Sequence, residues 1–486
     1  MPQIPHYIWH ERLYNRLFGQ PYPLFVFEDG ILPAASMWFL VREWVHRFRA
    51  TDLRPGSRIV IALPPTRTFV AVLLAGLWER YSLALCPPSA DVLETASFLD
   101  AGAIVRHHTE NDETTLTSRI TTHAPTPDIR LLLASSGTTA QPRWFALSDE
   151  NIFTVIDSHL PQLDLGQHSN DGDFRGSVVA DYPAARVLSV LPLYHAFGLI
   201  IDFLPALFAG AEIVRDAENG RNIASLLALA ERHTVTHCSM VPLLAQRLAG
   251  TTSGKQFLCG LQGGVIGGAP VREELIPLLS QTRLRVGYGQ TEASPGITLG
   301  AAGVWTANYL GKPLPKPLGC DVRINATGVL EFRGANACIG EWSKTGFVPL
   351  PPNRWHSTGD VAEASNDAAY EGFIFVGRAD DNFKLANGRF IPAVHWEQTL
   401  LQEINTLQHC MITSTADGTA CKILLGFGDD TNIASVNDTN TLQQRIADVC
   451  SCPSDLIGEV RIIPPSEWCF TPKGSIDRRR MRTAIL

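Results

Sequence analysis

Short apolar runs of strand length alternate with helix-like segments through most of this chain. Residues 57–63 form one such run. The segment after it, 67–80, repeats apolar residues at Phe69, Val72, Leu73 and Leu77, the spacing of one helix face. Further runs at 83–86, 129–134, 186–192, 213–215, 235–241 and 284–287 predict short buried strands. Buried strands alternating with helices predict an α/β fold with layered, largely parallel sheets. Ligands of such sheets lie where strand ends meet loops. Beyond about residue 300 the texture changes, and 321–325, 329–333 and 372–377 predict short antiparallel strands of a small barrel-like subdomain. After Asp380 it changes again, to a compact α+β unit with helices near 396–404 and 441–449 and strands at 411–415, 421–427 and 460–464. The expected organisation is a large N-terminal domain over 1–379, β-rich from about 300, and a small C-terminal domain over 380–486. Residues 166–182, rich in Gly, Asp and Ser, predict an exposed loop.

Composition narrows the function classes. The 486 residues are 45% hydrophobic and 18% charged, as in a globular protein with ample core, and the net charge is −8. Without an overall basic field, composition lends no support to a nucleic-acid or anionic-membrane partner. The longest apolar stretches, such as 200–209, read as buried core and are too short to span a membrane. Residues 1–12 lack the charged-then-apolar layout of a signal peptide, so the expected location is cytoplasmic. The ten cysteines are scattered, and Cys450 and Cys452 have no second ligand pair nearby; buried reduced thiols are expected.

The most informative segment is 134–143, Ala-Ser-Ser-Gly-Thr-Thr-Ala-Gln-Pro-Arg. It gathers Ser135, Ser136, Thr138 and Thr139 around Gly137 and ends on the cation Arg143. Hydroxyls, backbone amides and one fixed positive charge are what a polyphosphate requires. Apolar runs on both sides predict that the loop joins two strands, unlike the phosphate loop that opens a helix and ends Gly-Lys-Ser/Thr.

Five other segments follow in order: Leu191-Pro-Leu-Tyr-His195-Ala-Phe-Gly198; Gly267-Gly268-Ala269-Pro270; Val286-Gly-Tyr288-Gly289-Gln-Thr291-Glu292; Trp355-His-Ser-Thr358-Gly359-Asp360; and Gly377-Arg378-Ala-Asp380-Asp381-Asn-Phe-Lys384. Together with the loop, this set resembles the acyl-adenylate-forming superfamily: acyl- and aryl-CoA ligases, fatty acyl-AMP ligases, luciferases and adenylation domains. The resemblance spans about residues 35–482. It implies ATP-dependent activation of a carboxylic acid to acyl-AMP with release of pyrophosphate, then transfer to a thiol, with catalysis resting on positioning and charge stabilisation.

The resemblance also implies roles. Ser135–Thr139 and Arg143 hold the β- and γ-phosphates. Gly267, Gly268 and Ala269 line the adenine pocket, and Tyr288 offers adenine an aromatic face. Thr291 contacts the α-phosphate. Glu292 is a Mg2+ ligand, with Thr138 a second candidate. Asp360 accepts from the ribose hydroxyls, and Arg378 donates to the same ribose. His195 closes the acyl pocket, whose expected lining is His195, Phe197, Met240, Val241, Gly263, Gly264 and Ser294. The alternative for His195 is a packed core histidine. Asp380 is the hinge of a C-terminal domain that rotates between half-reactions.

Three positions depart from the family pattern. Ala140 and Arg143 stand where the family has Gly and Lys. The closing motif reads Thr471-Pro472-Lys473-Gly474-Ser475-Ile476-Asp477-Arg478, with Ser475 at the usual catalytic lysine. Either Lys473 reaches the phosphate by a shifted register, or adenylation is impaired. Arg478, Arg479, Arg480 and Arg482 form a solvated basic end or meet phosphates of the acceptor.

Residues 191–199 hold no Asp to pair with a substrate ammonium, so an amino acid is not expected. The apolar pocket suits a fatty or an aryl acid. The acceptor is CoA or the phosphopantetheine of a separate acyl carrier protein, since the chain has no carrier motif of its own. Two other readings compete: an enzyme that stops at the adenylate and hands acyl-AMP to a partner, and a degenerate nucleotide- or acyl-binding protein.

Overall fold

The structure is a computed structural model. It describes the chain except residues 1–6, 19–22, 109–112, 136–141, 166–184, 315–318, 366, 405, 428–438, 471–475 and 486, and except the side chains of 23, 24, 439, 440, 479 and 485. It divides into two compact units: Met1–Val322 with Phe332–His356 and Asp367–Gly372, and Arg323–Glu331 with Ser357–Asn366 and Phe373–Leu486. The β-rich stretch of 300–379 contributes to both.

In the first unit, the strand Arg58–Ala62 pairs in parallel with Ser82–Leu85 on one side and Ala103–His108 on the other. Leu131–Ala134 extends the parallel ladder beyond Ser82–Leu85. Successive side chains of a strand point to opposite faces, and both faces here are apolar. Ile59, Ile61, Leu83, Leu85, Leu131 and Leu133 enter one core, together with the helices Ala34–Arg49 and Arg67–Trp78. Val60, Ala62, Ala84 and Leu132 enter another, under the helix Val92–Phe98. Burial on both faces explains the uninterrupted hydrophobic runs in the sequence. Antiparallel strands complete the sheet: Glu113–Ser118 at one edge, Trp144–Leu147 and Gly340–Ser343 toward the other.

A second ladder positions the motifs. Pro23–Phe27, Glu212–Arg215 and Arg186–Ser189 lie parallel. The run at 235–241, expected as a strand, bridges its neighbours at His237, to Val187 and Gly263, and at Met240, to Ile266, with backbone hydrogen bonds beside them such as Leu188 N–H to the His237 carbonyl and Met240 N–H to the Val265 carbonyl. The ladder breaks between them, where the Ser239 hydroxyl instead of a carbonyl accepts the Val265 N–H, at 3.3 Å. Val265–Gly267 then pairs in parallel with Arg285–Tyr288.

In the second unit, Leu407–Ser414 runs antiparallel to Cys421–Phe427, which pairs in parallel with Ile457–Ile462. Trp396 and Leu400 of the helix Ala393–Glu403 and Ile446 of the helix Thr439–Val449 cover this sheet. The strands His356–Ala364 and Phe373–Arg378 form an antiparallel pair. Among the described residues the β-rich stretch forms no closed barrel. Among them, too, no helix is long and apolar enough to cross a membrane.

One buried cation ties the edge of the first unit. The Arg58 guanidinium, 1% exposed, donates to the carbonyls of Leu99, Asp100, His123 and Ala124 and to the Asp100 carboxylate at 3.1 Å. Burial alone would raise the Asp100 carboxyl; backbone N–H groups of Thr122 and His123, the His123 ring and the Arg58 charge outweigh it and hold it below its ordinary value. A depressed carboxylate stabilises the fold above its unfolded pKa of about 3.9 and loses that contribution as pH falls through the folded value. Asp100→Asn is therefore expected to lower stability by about 1–3 kcal/mol at pH 7, with the gap to the parent narrowing below about pH 4. Urea midpoints followed by tryptophan fluorescence check this; a gap equal at both pH values would reject it.

Candidate active site

The parallel ladder of the first unit ends where three motifs begin. Arg186–Ser189 leads to the segment holding His195, Val265–Gly267 to Gly268 and Ala269, and Arg285–Tyr288 to Thr291 and Glu292. Carboxyl ends of parallel strands leave backbone groups free for loops and ligands. One close approach and one tight turn shape the third loop. A methyl group on Gly289 would sit 1.3 Å from the Pro295 carbonyl oxygen, so only glycine fits. Thr291–Ala293 makes a tight helical turn, and Ser294 takes a left-handed conformation at φ 57°, turning the chain back.

A cleft opens at these strand ends. Gly267, Gly268, Gly287, Gly289 and Gly296 form one wall without side chains, and Phe197, Ile201 and Tyr288 border it. Its free volume is about 50 Å³. Phe197 and Ile201 come from a wide helical turn, Phe197–Phe203, of the five-residue kind that recurs at functional sites. His159, also on the cleft, is fully buried, and burial pushes its pKa down to about 4, so it is neutral there. Sequence reasoning missed it.

The other expected lining residues are distributed around this cleft. Gly264 lines a second, deeper chamber. Gly263 packs on the His237 ring, and Val241 stands beside Gly268. Met240 and Ser294 are wholly buried. His195 is exposed, with its ring 4.7 Å from that of Tyr194, and is not a packed core residue.

The phosphate-loop motif joins two strands, as its flanks predict: Leu131–Ala134 and Trp144–Leu147 form an antiparallel hairpin with Ala134 opposite Trp144. Ser135 closes it, its N–H donating to the Arg143 carbonyl at 2.8 Å. Ser136, Gly137, Thr138, Thr139 and Ala140 lie outside the described residues. Arg143 projects to solvent, stacks over Phe145 and donates to both carboxylate oxygens of Glu341, at 2.5 and 3.3 Å. Glu292 lies 3.9 Å from the same guanidinium. The motif cation and the expected metal ligand are thus neighbours, and Glu341 is a partner that no motif announced. Among the described residues no cluster of three or more His, Cys, Asp or Glu is built for a metal. A partly exposed carboxylate such as Glu292 fits Mg2+, which takes one or two protein carboxylates and completes its shell with phosphate oxygens and water.

The remaining candidates belong to the second unit. Asp360 and Arg378 sit opposite each other on paired strands, and the guanidinium donates to the carboxylate at 2.7 Å and to the Thr358 carbonyl at 3.2 Å. Asp380 follows in a short turn, its side chain 89% exposed. Arg478, expected as part of a solvated basic end, is instead held by Glu397 and, at 3.1 Å, by Asp381. Lys473 and Ser475 lie outside the described residues.

Comparison with known proteins gives a consistent result. The model of the family described as AMP-binding enzyme matches residues 86–336. A feruloyl-CoA synthase of an Amycolatopsis species is 25% identical over 369 residues, covering 68% of this chain and 70% of that protein. The 4-coumarate–CoA ligase 5 of Oryza sativa subsp. japonica is 26% identical over 283 residues, 53% of this chain and 49% of the ligase. Among solved structures, the anthranilate CoA ligase AuaEII in complex with anthranoyl-AMP superposes with a TM-score of 0.72 at 16% identity, covering 99% of this chain and 98% of that one. With the ordered motifs, the strand-end cleft and a family match over half its length, this chain belongs to the AMP-binding enzymes and is an AMP-forming acid–thiol ligase.

Proposed function

We propose that the acid is an aryl acid and that CoA is the acceptor. The observation that carries this is the glycine wall of the cleft. Five glycines in the lining leave much of it without side chains, beside Phe197 and Ile201, which suits a planar ring better than a flexible chain. The feruloyl-CoA synthase and 4-coumarate–CoA ligase relatives take acids of that kind by name.

In the first step a carboxylate oxygen of the acid attacks the α-phosphorus of ATP, and the bond to pyrophosphate breaks. In the second the CoA sulfur attacks the activated carbonyl, and AMP leaves with its oxygen. The chain's own groups position and neutralise charge. The hairpin hydroxyls from Ser135 to Thr139 and the Arg143 fork receive the leaving phosphates, for which Arg143 exchanges its contact with Glu341. Thr291 steadies the α-phosphate, and Glu292 holds Mg2+, which when bound offsets phosphate charge. Tyr288 and the backbone from Gly267 to Ala269 hold the adenine. Asp360, oriented by Arg378, accepts from the ribose. Lys473 takes the part of the lysine that Ser475 replaces, and the second unit turns about Asp380 between the two steps.

Three experiments test this. Pyrophosphate release is expected with planar aryl acids at kcat/KM at least about tenfold above that for long-chain fatty acids, and aryl-CoA should form only when CoA is added. Preference for long fatty acids would reject the substrate class, and aryl-AMP that accumulates unchanged with CoA present would reject the acceptor. Lys473→Ala is expected to slow adenylation about 100-fold while leaving thioester formation from supplied aryl-AMP within a few-fold; equal loss in both would remove its assigned role. Asp380→Pro should leave pyrophosphate release nearly intact and impair thioester formation, and an unimpaired second step would discard the rotation.

A further inference from the structure

Behind the cleft lies a second chamber with features that adenylation chemistry does not explain. Ile201 lines both spaces, and along one strand Val265 borders the cleft while its predecessor Gly264 borders the chamber. The chamber is thus on the side away from Gly267 and Gly268, where the nucleotide end of the strand begins. Its free volume is about 10 Å³, the room of roughly one water-sized group. Most of its wall is aliphatic, but Asp202, His237 and Ser239 also line it.

Asp202 and His237 are each 3% exposed. Asp202 Oδ2 and His237 Nε2 are buried and have no hydrogen-bond partner. Such groups are costly when left unpaired, so their presence in a cavity calls for an occupant. The Thr236 hydroxyl donates to the Arg186 carbonyl at 3.2 Å and lies 2.8 Å from His237 Nδ1. His237 Nε2 is therefore the second unpartnered polar atom on this wall, beside Asp202 Oδ2, and its role as donor or acceptor follows the ring tautomer. The Ser239 and Ser189 hydroxyls support the other side of the Asp202 carboxylate. Among the described residues no Lys or Arg pairs directly with Asp202. The nearby Arg215 guanidinium is taken up by Ser189 and Asn219. Burial pushes the Asp202 carboxyl up to about 6, so it is largely ionised at neutral pH. Among the described residues the chamber thus offers the Asp202 carboxylate as an acceptor, with His237 Nε2 beside it.

We infer that the acid carries a hydrogen-bond donor, a hydroxyl or an amino group, at the end of its ring opposite the carboxylate arm, and that Asp202 receives it in this chamber, with His237 beside it, as specificity-determining residues. The inference rests on the proposed aryl-acid reading. The ring lies along the glycine wall, its substituent passes Ile201, and a group of one heavy atom fills the free volume. A methyl group fits by size but leaves both polar atoms unpaired. A site built around polar groups rejects a partner that lacks the matching donor more strongly than an apolar pocket rejects an extra methylene.

The test uses the full chain and four aryl acids that differ only in this distal substituent: hydroxyl, amino, hydrogen and methyl. With pyrophosphate release as readout, kcat/KM for the hydroxyl or the amino acid should exceed that for the methyl acid by at least about tenfold. The ratio between those two identifies the natural donor. Asp202→Leu should reverse the preference toward methyl while the KM for ATP stays within twofold. Asp202→Asn, nearly isosteric, should cut the preference at least about fivefold and serves if the leucine variant does not fold. Turnover of all four acids at equal kcat/KM would overturn the inference and leave the ligase reading standing, the chamber then holding only water. No turnover with any acid would overturn both.

Discussion

The backbone ladder that joins Arg186–Ser189, His237, Gly263, Ile266 and Arg285–Tyr288 is the constraint on which the rest depends. Its pairing consumes the amide and carbonyl groups of the strands and stops at their carboxyl ends. Only there is backbone left to approach a ligand. The glycines at 267 and 287 follow from the same geometry. At Gly267 a methyl group would lie 2.5 Å from the Gly287 carbonyl oxygen, so the strands could not pack at this spacing with any side chain present. A smooth cleft wall is therefore a by-product of tight strand pairing, and the shape of the acid slot is set by the sheet.

Charge is arranged on the same principle of prior pairing. Arg143 is held by Glu341, Arg378 by Asp360, and Arg478 by Glu397 and Asp381. A guanidinium fixed by a carboxylate keeps its fork oriented and loses less conformational freedom when it takes up phosphate or sugar. The bond to Glu341 at the surface is weak enough to exchange, because exposed pairs contribute only about 0–1 kcal/mol. The departure at Arg143 is compatible with this arrangement: Arg keeps the charge of the usual lysine and adds the stacking over Phe145.

The chain itself determined much of this. Runs of apolar residues such as 129–134 and 421–427 mark strands, because a strand buried on both faces tolerates no alternation, and the observed strands fall within them or match them. The ordered motifs identified the family and the chemistry, since hydroxyl, glycine and carboxylate at fixed spacing are a local property. Local pattern was less informative at 235–241, where a serine hydroxyl competing for a backbone N–H interrupted the ladder.

What only tertiary structure decided is the company each charge keeps. Asp202 stands inside a stretch that reads as plain apolar core, and a charge within such a run was the one available signal. Its partners come from distant parts of the chain, and nothing local says that His237 opens on the same chamber. Glu341 lies 198 residues from Arg143, and only the pairing of Trp144–Leu147 with Gly340–Ser343 brings them together. Motifs record what the backbone needs nearby; the desolvation and pairing of a buried charge depend on every element packed around it, and that sum exists only once the chain has folded.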